Sequence, residues 1–437
     1  MTSVEQNNLD RIVYLTSGAA NMYCGSCLHD NTLARALNAA GVETLLVPTY
    51  TPIRTDEEDV SIDQVFFGGI NVFLQQKIPL FRHIPKFIDR MLDAPWLIRR
   101  ATARGIEISP QALGALAVSM LKGTAGNQRK EVRRLTKWLV NDIKPSVVIL
   151  SNLLIGGCIT SIRQHGIPVI VTLQGDDIFL QDLREPYKSQ TLRLMRNLAK
   201  EVDGFIVQSK FYQEAMSDLF GIPKSKIQVV PLGLNLEGLL EPQPRSTTSP
   251  RTIGYLARMS KEKGLHILVD AFIQLKQLPD TEDIQLLLAG WRGTTNNKYA
   301  AAEFAKLDAA GLGNDYNDLG TVDHTQKQQL LNNIDLLCVP TVYQEPKGLF
   351  ALEAMAAGVP VVVPEHGAFP EMLADLEGGI LFEPGNITAL AQLLHGLLEN
   401  QISLAEYGNL GRRNVSARRD ANTMASNTIA AIYKLLH

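Results

Sequence analysis

Residues 340–371 read PTVYQEPKGLFALEAMAAGVPVVVPEHGAFPE. The stretch alternates an apolar run, a polar loop carrying Glu345, a helix pattern over Leu349–Ala357, a second apolar run over Pro360–Val363 and a glycine-containing loop. Gly348 lets the backbone approach a ligand closely. The helix that it opens, beginning at Leu349, leaves unpaired N–H groups and the positive end of a dipole, a ready site for pyrophosphate. Glu353, about one turn further in, can point back toward a ligand and suits a two-oxygen grip on a ribose diol. Glu345 lies in the loop ahead. Either glutamate alone reads as an ordinary surface residue of an αβ crossover.

The same alternation extends outward. Strands are expected at Arg11–Thr16, Glu43–Val47, Ser146–Leu150, Pro168–Leu173, Gly204–Val207 and Ile227–Val230. In the second half they are expected at Thr252–Tyr255, Ile284–Ala289, Leu336–Val339 and Pro360–Val363. Helices such as Leu28–Ala40 and Leu265–Leu275 lie between them, which predicts parallel sheets covered on both faces. Glu241–Pro250, EPQPRSTTSP, has three prolines and no apolar period, and reads as a linker. The expected organisation is a first Rossmann-like domain over 1–240, a second over 251–415, and a C-terminal helix over 416–437 crossing back to the first. Two such domains facing across a cleft would bind ligand at the C-terminal ends of the strands.

The full pattern E-P-x-G-L-x-x-x-E-A-M-A-x-G-x-P-V-V resembles the glutamate pair of the retaining GT-B glycosyltransferases, especially family 4, and the E-P-x-G-L start is similar to that of starch and glycogen synthases. The resemblance implies an α/β GT-B fold and transfer of a hexosyl group from a nucleoside-diphosphate sugar to an acceptor that the sequence leaves open: glycan, lipid or small molecule. It also assigns roles. Arg258 and Lys263 in GYLARMSKEKG match the pair that holds the donor diphosphate. Gly290 lies in the family's glycine-containing turn, and Val322 in the loop that meets the base. Gly348, Leu349 and Glu353 complete the donor side, with Glu345 positioning the sugar. The first half departs more. Gly25 is the candidate for a backbone contact to phosphate or acceptor, and Gln174 stands where many relatives carry His beside the donor sugar. Glutamine can donate a hydrogen bond there but carries no proton. The family's P-N-G pattern is altered to Pro231-Leu232-Gly233.

Transfer requires stabilising negative charge on a departing diphosphate, and no Asp-x-Asp follows a strand to hold a metal. Two cations and a helix N-terminus perform the same electrostatic task, so a metal-independent reaction without cofactor is expected. Glycoside hydrolysis fits poorly, because it needs two facing carboxylates at a set separation. A phosphorylase, an epimerase and a catalytically silent sugar-nucleotide-binding scaffold remain as alternatives.

Cys24-Gly-Ser-Cys27 matches C-x-x-C after a strand, but a turn of small residues is the simpler reading. His83, His165, His266, His324 and His366 show no metal-ligand spacing. Residues 77–137 carry 13 Lys/Arg against 4 Asp/Glu, interleaved with Phe81, Ile84, Phe87, Met91, Leu92 and Trp96. That is either a membrane-facing or anionic-acceptor surface or a solvated helical hairpin. The polar N-terminus, four cysteines and short apolar runs suggest a cytoplasmic protein, with peripheral contact to anionic membrane open. A net charge of −3 gives no reason to expect nucleic acid.

Overall fold

The structure, a computed structural model, describes residues 9–18, 25–55, 57–62, 65–67, 75–76, 110–240 and 250–437. The chain forms two compact units, one of 1–231 with 421–437 and the other of 232–420. The second unit begins before the expected linker, whose residues 241–249 lie outside the described set, because Leu232 and Leu234 pack into its core. Its ends are tied where the Leu234 amide donates to Arg419 O at 2.8 Å.

The first unit holds β1 (Arg11–Thr16), β2 (Glu43–Pro48), β3 (Val147–Leu150), β4 (Val169–Thr172), β5 (Gly204–Val207) and β6 (Ile227–Val229), all parallel, in the order β2-β1-β3-β4-β5-β6. Apolar side chains occupy both faces, so VVIL of β3 and VIVT of β4 are buried end to end, as strands covered on both sides must be. One face packs under the helix Gly25–Ala39 and the C-terminal helix Ala421–Leu436, whose Met424, Ala425, Ala431 and Ile432 share a core with Ile12, Tyr14 and Leu37.

The second unit repeats the plan with β7 (Thr252–Leu256), β8 (Gln285–Ala289), β9 (Tyr316–Asp318), β10 (Leu336–Cys338), β11 (Val361–Pro364) and β12 (Gly379–Phe382). Their order is β12-β11-β10-β7-β8-β9, again parallel. The strand order reverses between β7 and β10, so the loops after these two strands flank the point where a doubly wound sheet opens to ligand. β9 and β12 escape sequence reading: YND is polar, and GILF is only partly buried, so neither shows the continuous apolar run of the inner strands. Among the described residues no helix is long and apolar enough to cross a membrane.

Candidate functional site

The loop after β7 is supported from below. The buried Tyr255 hydroxyl donates to Arg258 O at 3.2 Å and to Lys263 O at 3.4 Å, and burial pushes its own pKa up. The loop after β10 is zipped to it: Val342 N and Tyr343 N donate to Glu262 O at 3.0 and 3.3 Å. The loop after β11 closes on the loop after β10, since Ala368 N donates to Glu345 O at 2.8 Å and a His366 Nε2–Thr341 O contact measures 2.9 Å.

At the centre of these three loops the Lys263 ammonium donates to Glu345 Oε2, and it lies 5.5 Å from the centroid of the Phe350 ring and 5.9 Å from that of Tyr343. Glu345 is buried. Burial alone would raise its pKa, but the Lys263 charge and hydrogen bond, Lys347 and the Gly348 amide outweigh it and hold the carboxyl below its usual range. The Gly348 amide reaches Glu345 Oε1 at 3.4 Å. Gly348 sits at φ +61° as the cap of the helix Leu349–Ala356, and a Cβ there would lie 3.0 Å from Phe369 and Met372 side-chain atoms. Lys263, 82 residues from Glu345, thus joins Glu345 and Gly348 in one cluster at the switch point. Arg258, in the same loop, turns its guanidinium to Glu262 and is partly exposed.

The loops after β8 and β9 form the other end of this edge. Gly290 N donates to Gly320 O at 2.8 Å, Met259 N to Trp291 O at 3.2 Å, and Arg292 pairs with Asp318 at 2.8 Å. Gly290 passes so close to the β7 loop that a Cβ would meet Ala257 O at 1.7 Å, which explains the glycine there. Val322 is half-buried against the unit's core, as is Leu349. The Glu353 carboxylate takes Lys327 Nζ at 2.7 Å, a partner that sequence reasoning missed because Lys327 is a lone lysine in a glutamine-rich helix.

In the first unit, Gly25 opens the helix that follows β1, half-buried. Gln174 is buried, and its Nε2 donates to Asp30 Oδ1 at 2.8 Å and to Ser151 O at 3.3 Å. Asp30, fully buried, also accepts from Tyr14 at 2.9 Å and Thr16 at 2.7 Å. Asp176, in the turn after β4, accepts from Leu153 N at 2.7 Å and Gln174 N at 3.1 Å. Neither aspartate network was foreseen; a run of buried polar residues beginning at His29 was its one trace in the sequence.

Cys24 lies outside the described residues; Cys27 is buried in the first helix. Cys158 and Cys338 are likewise buried, which pushes the first up to about 12 and the second higher still. Among the described residues no three His, Cys, Asp or Glu side chains converge as metal ligands. Of the basic segment 77–137, residues 77–109 lie outside the described set, with His83 and all the named apolar residues among them. In its helix Arg129–Lys137, residues Arg129, Arg133 and Lys137 are exposed four residues apart, while Arg134 pairs with Glu131.

Residues 240–414 match the family described as Glycosyl transferases group 1, and residues 116–237 match Glycosyltransferase Family 4. A phosphatidyl-myo-inositol mannosyltransferase of Mycobacterium leprae is 34% identical over 201 residues, 45% of this chain and 50% of that protein. A glycogen synthase of Mycobacterium tuberculosis is 28% identical over 54% of this chain and 55% of its own length. The chain therefore spans about half the length of these curated relatives. Solved structures extend the fold to both units. Sucrose-phosphate synthase from Thermosynechococcus elongatus superposes with a TM-score of 0.69 at 19% identity, covering 98% of this chain and 99% of that one. HepE from Anabaena, in complex with UDP, gives 0.67 at 18% identity over 97% and 99%. The two parallel six-stranded α/β units have the GT-B fold of these solved structures, and the group 1 glycosyltransferase match spans most of the second unit.

Proposed function

We propose that the chain is a retaining, metal-independent hexosyltransferase that uses a nucleoside-diphosphate sugar. The observation that carries this reading is the Lys263–Glu345 pair beside the Gly348-capped helix, at the switch point of the second sheet. Lys263, Arg258 and the amides at the start of the helix Leu349–Ala356 hold the diphosphate and stabilise the charge that grows on it. Gly290 allows its close approach, and Val322 borders the base. As the anomeric carbon parts from the phosphate oxygen, Glu345 holds the sugar by its hydroxyls. The acceptor oxygen bonds to that carbon on the same face, and its proton passes to the departing phosphate oxygen. Glu353 holds the ribose. Gly25 and the backbone beside Gln174 belong to the side that receives the acceptor or sugar. HepE structures hold UDP, UDP with glucose, and UDP-glucose, so uridine donors are the first to test.

The two glutamates should fail differently. A ribose contact is equally strong in ground and transition states, so Glu353→Ala should mainly raise the donor KM. A sugar contact strengthens as the ring becomes cationic, so Glu345→Ala should mainly lower kcat. Each loss should be roughly tenfold to a few hundredfold, the worth of one charged hydrogen bond. Product anomers read by NMR test retention. Unchanged kinetics for both variants would leave a sugar-nucleotide scaffold.

The exposed Arg129, Arg133 and Lys137 stripe supports peripheral contact with anionic membrane as part of the same reading. The protein should co-sediment with anionic vesicles and be released by salt; equal behaviour with neutral vesicles would remove that contact.

A further inference from the structure

Lys327 and Glu353 form an ion pair at 2.7 Å whose side chains are only 13% and 14% exposed. They come from different helices. Glu353 lies in Leu349–Ala356, opened by Gly348, whereas Lys327 lies in the first turn of His324–Asn332. The second helix starts from a reciprocal cap: Gln326 N donates to Asp323 Oδ1 at 2.8 Å and Asp323 N to Gln326 Oε1 at 3.0 Å. This cap fixes the backbone beneath Lys327 directly after the loop that carries Val322. Lys327 reaches Glu353 Oε1, and among the described residues no other group bonds that carboxylate. Oε2 is therefore left for a hydroxyl.

We infer that Lys327 is a positioning residue for nucleotide recognition, an inference resting on the reading of Glu353 as the ribose ligand. Two effects follow from the geometry. The ammonium selects one arrangement of a flexible glutamate, so less rotamer freedom is lost when a diol binds. It also links the helix behind the base loop to the helix that grips the ribose. A diol meets an acceptor already aimed at it, and discrimination between ribose and dideoxyribose should depend on a residue one step removed from the ligand.

The test compares UDP, GDP and ADP by calorimetry, then sets the best-bound of them against its 2′,3′-dideoxy counterpart, in wild type, Lys327→Met, Lys327→Gln, Lys327→Arg and Glu353→Gln. Wild type should prefer the ribonucleotide at least tenfold, and Lys327→Met and Lys327→Gln should cut that preference to under threefold. Lys327→Arg should restore most of it. Pyrophosphate affinity and kcat at saturating donor should stay within twofold of wild type throughout the Lys327 series, which a general loss of structure would not permit. Melting curves show which variants are folded, and either neutral variant suffices. A folded Met or Gln variant with the wild-type preference overturns the inference alone, provided that Glu353→Gln has lost it. A wild type that binds both nucleotides equally, with Glu353→Gln unchanged, removes the ribose reading of Glu353 and the inference with it.

Discussion

At the C-terminal edge of the second unit's sheet, Lys263 is bound to Glu345 and Arg258 to Glu262, while at the corresponding edge of the first unit Asp30 accepts from Tyr14, Thr16 and Gln174. Both edges concentrate polar side chains where the strand order reverses. In the second unit each cation is balanced by a single carboxylate, a pairing that an incoming anion can share or replace. In the first unit the carboxylate is shared among the Tyr14 and Thr16 hydroxyls, the Gln174 amide and the His29 ring, whose Nδ1 lies 3.2 Å from Oδ1, and Gln174 Nε2 also donates to Ser151 O. The lesson is that charge at a switch point can serve two ends. Ion pairs within and between loops keep charge available to a ligand, whereas saturated hydrogen-bond networks fix the local shape of the fold.

The largest effect expected from this contrast is at Lys263. Lys263→Met should lower kcat by more than a hundredfold if the ammonium stabilises the leaving diphosphate, since a pre-aimed donor is worth that much in a water-poor site. It also strands a buried carboxylate, a loss of about 3–5 kcal/mol in stability. The paired Glu345 contributes stability that is present above its unfolded pKa and lost as pH falls through its lowered folded pKa. The Lys263→Met and Glu345→Gln double variant should recover folding but not turnover. Recovery of both in steady-state assays and urea melts would mean that the pair is structural only, and the contrast between the two edges would collapse.

A smaller effect is expected in the first unit, at Asp176. Burial raises its pKa from 3.8 to about 7, against the pull of the Leu153 and Gln174 amides and with help from Asp177. The folded protein therefore holds this proton more tightly than the unfolded chain. Its contribution to stability is complete below about pH 3.8 and is lost as pH rises through about 7. Asp176→Asn is neutral throughout and removes that dependence, with a constant offset because one amide loses its acceptor. Between pH 5 and 8 the stability of wild type relative to Asp176→Asn should fall by on the order of 3 kcal/mol, read from urea melts at each pH. Parallel pH curves would show that Asp176 is ionised in the fold, making this edge more like the second unit's.

The sequence was most informative where local pattern and burial agree. Ten of the twelve strands among the described residues could be placed within a residue or so, because fully buried parallel strands are continuous apolar runs between turn residues. The glutamate motif was legible for a related reason: Gly348 and Glu353 are separated by helix geometry that spacing alone fixes. Long-range partners were not legible. Nothing in GYLARMSKEKG says that Tyr255 braces the loop from beneath or that Lys263 finds Glu345. Lys327 meets Glu353 only because β10 brings two helices together. Gln174 shows the limit most clearly. Its place at the end of β4 could be read, yet whether its amide faced a ligand or the buried Asp30 depended on a residue of the first helix.

The smallest effect expected is from chelation. A metal-dependent transferase neutralises the departing diphosphate with a divalent ion, so removing the ion abolishes turnover. Here two fixed cations, Arg258 and Lys263, and the N-terminus of the helix Leu349–Ala356 lie on one edge of one sheet. Their charge is carried by the chain itself and survives EDTA. Initial rates with a saturating donor should stay within about twofold of the untreated enzyme, a difference of only ~0.4 kcal/mol in the barrier. The sharper form of the test uses the weakened site. If Arg258→Ala, which should lower kcat while sparing nucleoside binding, is also indifferent to EDTA and is not rescued by Mn²⁺ or Mg²⁺, then the side-chain cations and the helix N-terminus are the whole electrostatic device. Complete loss of wild-type turnover on chelation, restored by either ion, would show that the paired loops of the second unit need a partner from solution, and the difference between the two edges would no longer lie in charge supplied by the fold.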